Sequence, residues 1–336
     1  MTFTKLYINL ICGLIPGKQK RKAVRQILRG IEHQNYQYDE KETLSNKNDN
    51  EEILQKINSL EQLIKLTKNV TSIEQATGNT RLVQKAATAI LAHFAKVAQK
   101  NKLKFWLDSG TLIGFMRHNG GFVPWDDDID IGMIRTDYEK LPAILDKDFC
   151  KDGFFYQMGE ITRLYYKNLH VWVDIFPMDI GDSETPPTGS AYDNFIAKLN
   201  DIKSAIDFDY QKWLRHEKPV SQSYLDICYK RRDKELVKQK CSHGFLFYGV
   251  ETNVRTRTLY RNDTVFPLKP VKFYDVDAYI PQNADLYLFQ MYGDYMNWPN
   301  QFASYHGTSL ADNMSYDAYI QCHELIDEYY SQGNNS

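Results

Sequence analysis

The chain has 336 residues with 41 basic and 43 acidic side chains, a formal net charge of −2. That balance gives no whole-molecule attraction to nucleic acid, and no nucleic acid partner is expected. With charged residues at 25% and hydrophobic ones at 43% the chain reads as folded with a sizeable core, and no run of about eighteen apolar residues marks a membrane span.

Residues 1–30 join an apolar stretch, 3–15, to a basic one carrying Lys18, Lys20, Arg21, Lys22, Arg25 and Arg29. A secretory signal has the reverse order. The arrangement suits a segment lying on an anionic inner-membrane surface, and an amphipathic helix packed on the protein is the other reading. Residues 31–51 are polar and read as linker. Ile53, Ile57, Leu60 and Ile64 then form a short coiled-coil-like seam within 53–70, which either pairs with a second copy to give a homo-oligomer or packs on the main domain. Residues 31–79 are thus a linker and helical arm, and 80–336 are expected to be the catalytic domain.

The stripe Leu82, Val83, Ala86, Ala87, Ile90, Leu91, Phe94 and Val97 predicts a long helix. A strand over 103–107 follows, and Ser109-Gly110-Thr111 turns the chain into a short helix carrying Arg117 and His118. Gly120-Gly121 opens a loop to Val123-Pro124-Trp125 and an acidic strand. Thr136 is read as the N-cap of a helix reaching Leu145. Strands are expected at 154–158, 163–167 and 170–177, helices from 191 to about 239, and irregular structure beyond. The fold class is mixed α/β. The five cysteines are odd in number, widely spaced and without a C-x-x-C pair, which indicates free thiols in a reducing, cytoplasmic compartment.

Four aspartates occupy five positions in Trp125-Asp126-Asp127-Asp128-Ile129-Asp130-Ile131. In an extended strand Asp126, Asp128 and Asp130 share a face while Ile129 and Ile131 point the other way. Like charges so close destabilise a fold unless a cation neutralises them. Mg²⁺, with Mn²⁺ as a substitute, takes one or two carboxylates and fills its remaining positions with water and phosphate. The alternative is a solvated acidic turn. Asp174, alone among apolar residues in His170-Val171-Trp172-Val173-Asp174-Ile175-Phe176-Pro177, is the third expected metal ligand beside Asp128 and Asp130. Backbone amides at Ser109, Gly110 and Thr111, exposed at a helix start, suit phosphate oxygens. Arg117 offers a guanidinium fork for a diphosphate, with His118 beside it.

The blocks Gly110-Thr111-Leu112-Ile113-Gly114-Phe115-Met116-Arg117-His118, then Gly121-Phe122-Val123-Pro124 into the acidic run, and Val173-Asp174-Ile175-Phe176-Pro177-Met178-Asp179 resemble the signature of the LicD family, which includes fukutin and fukutin-related protein. Tyr287-Leu288, Met291-Tyr292-Gly293-Asp294-Tyr295-Met296, Trp298-Pro299 and His306 continue it. The resemblance implies a nucleotidyltransferase-like fold of the polymerase-beta type. It implies transfer of a phospho-alcohol from a CDP-activated donor to a sugar hydroxyl of a glycan or lipid-linked saccharide, with release of CMP. It assigns nucleotide phosphate to Gly110 and Thr111 and Mg²⁺ to Asp128, Asp130 and Asp174. The zinc-binding insertion of fukutin-related protein has no recognisable counterpart, which points to the bacterial group that adds phosphocholine from CDP-choline to lipopolysaccharide, at the cytoplasmic face of the inner membrane. Transfer of ribitol or glycerol phosphate into capsule or teichoic acid, nucleotidyl transfer releasing pyrophosphate, and a noncatalytic membrane scaffold are the alternatives. Asp126 or Asp174 is the expected general base, and Tyr292, Asp294 and His306 are read as pocket residues.

Overall fold

The computed structural model describes residues 45–159, 161–204, 222–237, 241–252, 258–299, 310–311 and 313–333. The expected membrane-facing segment, 1–30, lies outside them. The chain divides into two compact units, residues 1–74 with 294–309, and residues 75–293 with 310–336. In the first, the seam predicted around Ile53 and Ile64 lies within a longer helix, α1 (Ser45–Thr67), which leaves Leu63 and Leu66 exposed. The Trp298 indole N–H donates to the Lys68 carbonyl at 2.7 Å, joining the two sequence segments of this unit.

The second unit is a mixed sheet flanked by helices. Its long helix α2 (Gly78–Lys100) buries Ala86, Ala87, Ile90, Leu91 and Phe94, as the stripe of apolar residues requires. Strand β1 (Phe105–Leu107) leads into α3 (Ser109–Arg117), and β2 (Ile129–Ile134) follows the acidic run. Two single helical turns, α4 (Arg135–Tyr138) and α5 (Leu141–Ile144), precede strands β3 (Phe154–Met158), β4 (Thr162–Tyr166) and β5 (Trp172–Ile180). Strand order is β1-β2-β5-β4-β3. Only β2 and β5 run parallel within it, in the register Asp130 to Asp174 and Ile131 to Ile175. The Ile129, Ile131, Val173, Ile175 and Leu164 side chains are fully buried. Their neighbours along the same strands, Asp130, Asp174 and Arg163, therefore share the opposite face.

Two expectations fail. Thr136 does not cap a helix: Ile134 is the N-cap of α4 without a side-chain bond, and Thr136 lies within that turn. The hydroxyl has no helix start to serve because β2 runs directly into α4. Nor is the last third irregular. After α6 (Gly189–Ser204) and α7 (Gln222–Glu235), β6 (Leu246–Tyr248) pairs with the end of β5, and β7 (Leu259–Tyr260) pairs with β6. The turn α8 (Asn262–Val265), the hairpin β8 (Lys269–Phe273) and β9 (Val276–Ile280), α9 (Ala284–Tyr292) and α10 (Tyr316–Gly333) follow. These strands are only two to five residues long, too short for alternation to announce them.

At the C-terminal ends of β2 and β5 a buried charge network closes the sheet. Arg135 donates to Asp179 (2.7 Å) and to both Glu251 oxygens (2.7 Å each), and Arg232 adds a bond to Asp179 at 3.0 Å. Burial alone would disfavour these charges. The Arg135 and Arg232 guanidinium groups nevertheless hold the Asp179 carboxyl below its usual pKa, and the carboxylates hold Arg135 well above its own. Five residues of strand, roughly 16 Å, separate Asp179 from Asp174, so this network is structural. Arg135→Ala takes the arginine from buried Glu251 and leaves Asp179 with Arg232 alone, and should cost about 3–5 kcal/mol in urea unfolding. A change below 1 kcal/mol would show that the network contributes little.

Candidate active site

The acidic run is not one continuous strand. β2 begins at Ile129, and Asp126, Asp127 and Asp128 arrive through a turn closed by the Asp126 N–H to the Val123 carbonyl at 2.9 Å. Pro124 within Val123-Pro124-Trp125 favours that turn, because its ring presets the backbone. The consequence is a denser cluster than strand alternation allows: Asp126, Asp127 and Asp128 bring carboxylate oxygens within 4.8 Å of one another, and so do Asp128, Asp130 and Asp174. Asp128 belongs to both groups. It and Asp174 are buried, while Asp126, Asp127 and Asp130 are partly exposed. From α2 the buried Gln84 amide donates to the Asp126 carbonyl at 2.9 Å and pins the loop from behind.

The turn before α3 faces this cluster. Ser109 has φ +52°, a left-handed conformation unusual for serine and costing on the order of 1 kcal/mol. Asp108 secures it as N-cap, its carboxylate accepting the Ser109 N–H at 2.7 Å. At Gly110 a Cβ would lie 2.7 Å from the Asp126 Oδ2 and 3.9 Å from the Asp130 Oδ2. Glycine therefore lets the turn approach the carboxylates. The Thr111 hydroxyl accepts the Asp130 N–H at 2.8 Å, and the Asp108 N–H donates to the Asp130 carbonyl at 3.0 Å, so helix and acidic strand are tied twice. Gly114 lets α3 lie on the backbone of the following loop, where a Cβ would meet the Gly121 carbonyl oxygen at 2.5 Å.

Arg117 and His118 sit at the far end of α3, next to Trp125. The Arg117 guanidinium carbon lies 6.0 Å from that ring's centroid, and the His118 ring meets it edge-on at 6.2 Å. Burial and then the Arg117 charge press the His118 pKa down to about 4, so the ring is neutral at physiological pH. Its Nε2 accepts from Arg117 Nε at 3.1 Å, which puts the ring proton on Nδ1. That Nδ1 and the Ser109 hydroxyl are both buried without a hydrogen-bond partner in the protein, the condition of polar atoms that a bound molecule satisfies.

Besides Gln84, four participants were not foreseen in the sequence. Arg163 on β4 lies opposite Asp174 and grips both its oxygens, Nε to Oδ1 at 2.8 Å and Nη2 to Oδ2 at 3.3 Å. Burial would lower the arginine's pKa, but the Asp174 charge outweighs that and raises it. At the other side, Tyr248 donates to the Asp108 oxygens at 2.8 and 2.9 Å and Tyr287 donates at 3.0 Å. Asp108, Tyr248 and Tyr287 are fully buried or nearly so, and Tyr287 stacks on Tyr260 with centroids 4.0 Å apart. Tyr287 lies inside the quoted C-terminal block, but nothing in the sequence couples it to Asp108. Of the expected pocket residues, Tyr292 is exposed at the end of α9, Asp294 belongs to the other unit, and His306 lies outside the described residues. An open cavity of about 390 Å³ beside Lys269 and Asn283 is lined by Asp263 and Asp285 and by none of the clustered aspartates.

A family profile described as "LicD/FKTN/FKRP, nucleotidyltransferase domain" matches residues 102–208. The lipopolysaccharide cholinephosphotransferase LicD of Haemophilus influenzae is 47% identical over 243 residues, covering 62% of this chain and 88% of that protein. The chain belongs to the LicD family. The ribitol 5-phosphate transferase FKRP of mouse is 30% identical over 83 residues, 22% of this chain and 17% of that protein. The profile segment, 102–208, holds every aspartate of the cluster and Arg163, whereas Tyr248 and Tyr287 lie beyond it. Among the described residues no helix is long and apolar enough to cross a membrane.

The neutral state of His118 gives a pH prediction. A histidine whose pKa falls on folding, from about 6.5 to about 4, contributes stability above the higher value and loses it as pH drops through the lower. His118→Gln should therefore flatten the decline in thermal midpoint between those two pH values relative to wild type. Parallel profiles would mean that His118 is not buried in its neutral form.

Proposed function

We propose that the protein transfers phosphocholine from CDP-choline to a sugar hydroxyl of a cell-surface glycan such as lipopolysaccharide, releasing CMP. The observation that carries this reading is the convergence of Asp128, Asp130 and Asp174 beside the Ser109-Gly110 turn. Identity to the Haemophilus cholinephosphotransferase along most of its length supports the choice of alcohol. On this reading the reaction takes place on the cytoplasmic side of the inner membrane, where residues 1–30 meet anionic lipid.

Asp128, Asp130 and Asp174 are hard oxygen donors and fit Mg²⁺ or Mn²⁺. A divalent ion held there would offset the charge of the donor diphosphate and polarise its non-bridging oxygens. The Ser109 amide is taken by the Asp108 carboxylate, so the amides of Gly110 and Thr111 receive phosphate oxygens at the helix start, and the Arg117 fork and the His118 Nδ1–H add donors without adding a second titrating charge. The acceptor hydroxyl forms a bond to the phosphorus bearing choline as the bond from that phosphorus to the CMP oxygen breaks, so the protein supplies position and charge and no covalent intermediate. The acceptor's proton passes to Asp126. Arg163 already occupies both Asp174 oxygens.

Ribitol phosphate transfer is the second reading, favoured by the similarity to FKRP, and it would use the same carboxylates. The test is CMP release by the full chain with Mg²⁺, a lipid-linked glycan, and CDP-choline, CDP-ribitol or CDP-glycerol in turn. CDP-choline should be turned over fastest. Asp128→Ala or Asp130→Ala should lower transfer by roughly 10³-fold, the scale of several kcal/mol of metal charge stabilisation. Near wild-type transfer in both variants, or pyrophosphate as the product from CTP, would refute the assignment.

A further inference from the structure

Across three adjacent strands the registers align Asp130 on β2, Asp174 on β5 and Arg163 on β4. Two carboxylates directly opposite one another on a shared face repel, and a buried guanidinium stands on the far side of one of them. Arg163 is 2% exposed and held from more than one direction: bidentate to Asp174, its guanidinium carbon 4.6 Å from the Trp172 centroid, with the Tyr165 hydroxyl also bonded to it. It is therefore a permanent part of the cluster's charge. We propose that Arg163 is a positioning residue and the internal counter-ion of this cluster, so that the carboxylates hold a divalent cation weakly alone and firmly once the donor's diphosphate joins them.

The inference rests on the metal-assisted reading above and follows from charge. Asp128, Asp130 and Asp174 carry three negative charges, and Arg163 has cancelled one before any cation arrives. A cation bound to Asp174 sits beside a fixed guanidinium, which opposes it, while diphosphate oxygens restore the missing negative charge and ligand atoms. The same guanidinium keeps two facing aspartates together when no cation is present, which a purely acidic site could not do cheaply. A merely structural ion pair joining β4 to β5 would leave cation affinity unchanged.

The test is titration of the full chain with Mn²⁺, read by the electron paramagnetic resonance of free Mn²⁺, with and without CDP, with circular dichroism as the check on folding. In wild type, CDP should tighten Mn²⁺ binding about tenfold or more. Arg163→Met should bind Mn²⁺ alone about tenfold more tightly than wild type, with the benefit of CDP reduced. Arg163→Lys, which keeps the charge and loses the fork, should stay close to wild type in Mn²⁺ affinity without CDP. Equal Mn²⁺ affinity of wild type with and without CDP would overturn the proposal and leave the metal site standing, and needs no variant to fold. Folded Arg163→Met binding Mn²⁺ no more tightly than wild type would overturn it too. Failure of wild type to bind Mn²⁺ even with CDP would instead sink the metal-assisted reading itself.

Discussion

The facing of Asp130 and Asp174 on the parallel strands β2 and β5 is the constraint around which the rest of the site is arranged. Strands neighbour each other at about 4.8 Å, so two carboxylates in register on one face cannot be left uncompensated. Compensation comes laterally, from Arg163 on β4, and from the turn side, where the peptide N–H groups of α3 present positive ends. Everything nearby serves to hold that arrangement rigid: Thr111 and Asp108 tie the helix to β2, Gln84 fixes the acidic loop, and the isoleucines between the aspartates anchor the strands in the core.

The two ends of the central strand pair illustrate how similar chemistry serves different purposes. At the C-terminal ends, Arg135, Arg232, Asp179 and Glu251 are buried and matched in number, with each arginine charge facing a carboxylate. At the N-terminal ends, acids outnumber the one arginine shown paired with Asp174, and part of the cluster meets solvent. A balanced buried network stabilises; an unbalanced, partly open acidic one favours cations. That imbalance, more than any concavity, distinguishes the candidate active site.

How much was legible in the sequence depended on whether the signal was local. The Ser109-Gly110-Thr111 turn, the aspartates and the carboxylate of β5 occur in short blocks whose spacing carries meaning, and the structure brings them together. The acidic run misled in one respect: alternation predicts a strand from Asp126, yet Pro124 and the mutual repulsion of adjacent acids favour a turn, so the strand starts three residues later. Arg163 was silent because one cation in Thr162-Arg163-Leu164-Tyr165 resembles any surface charge until strand pairing sets it against Asp174. Asp108 and Gln84 were silent for a similar reason, each reading as an ordinary polar residue at the edge of an element.

The tyrosine brace on Asp108 has a consequence for how this domain is divisible. The backbone twist at Ser109 is held by hydroxyls from positions 248 and 287, some 140 and 179 residues downstream. An excised block spanning the profile segment, 102–208, would carry every aspartate of the cluster and still lack the clamp on the turn before α3. Chemistry encoded in the first half of the unit is thus conditional on the chain having folded back to its second half, and shortening or grafting this architecture must keep both.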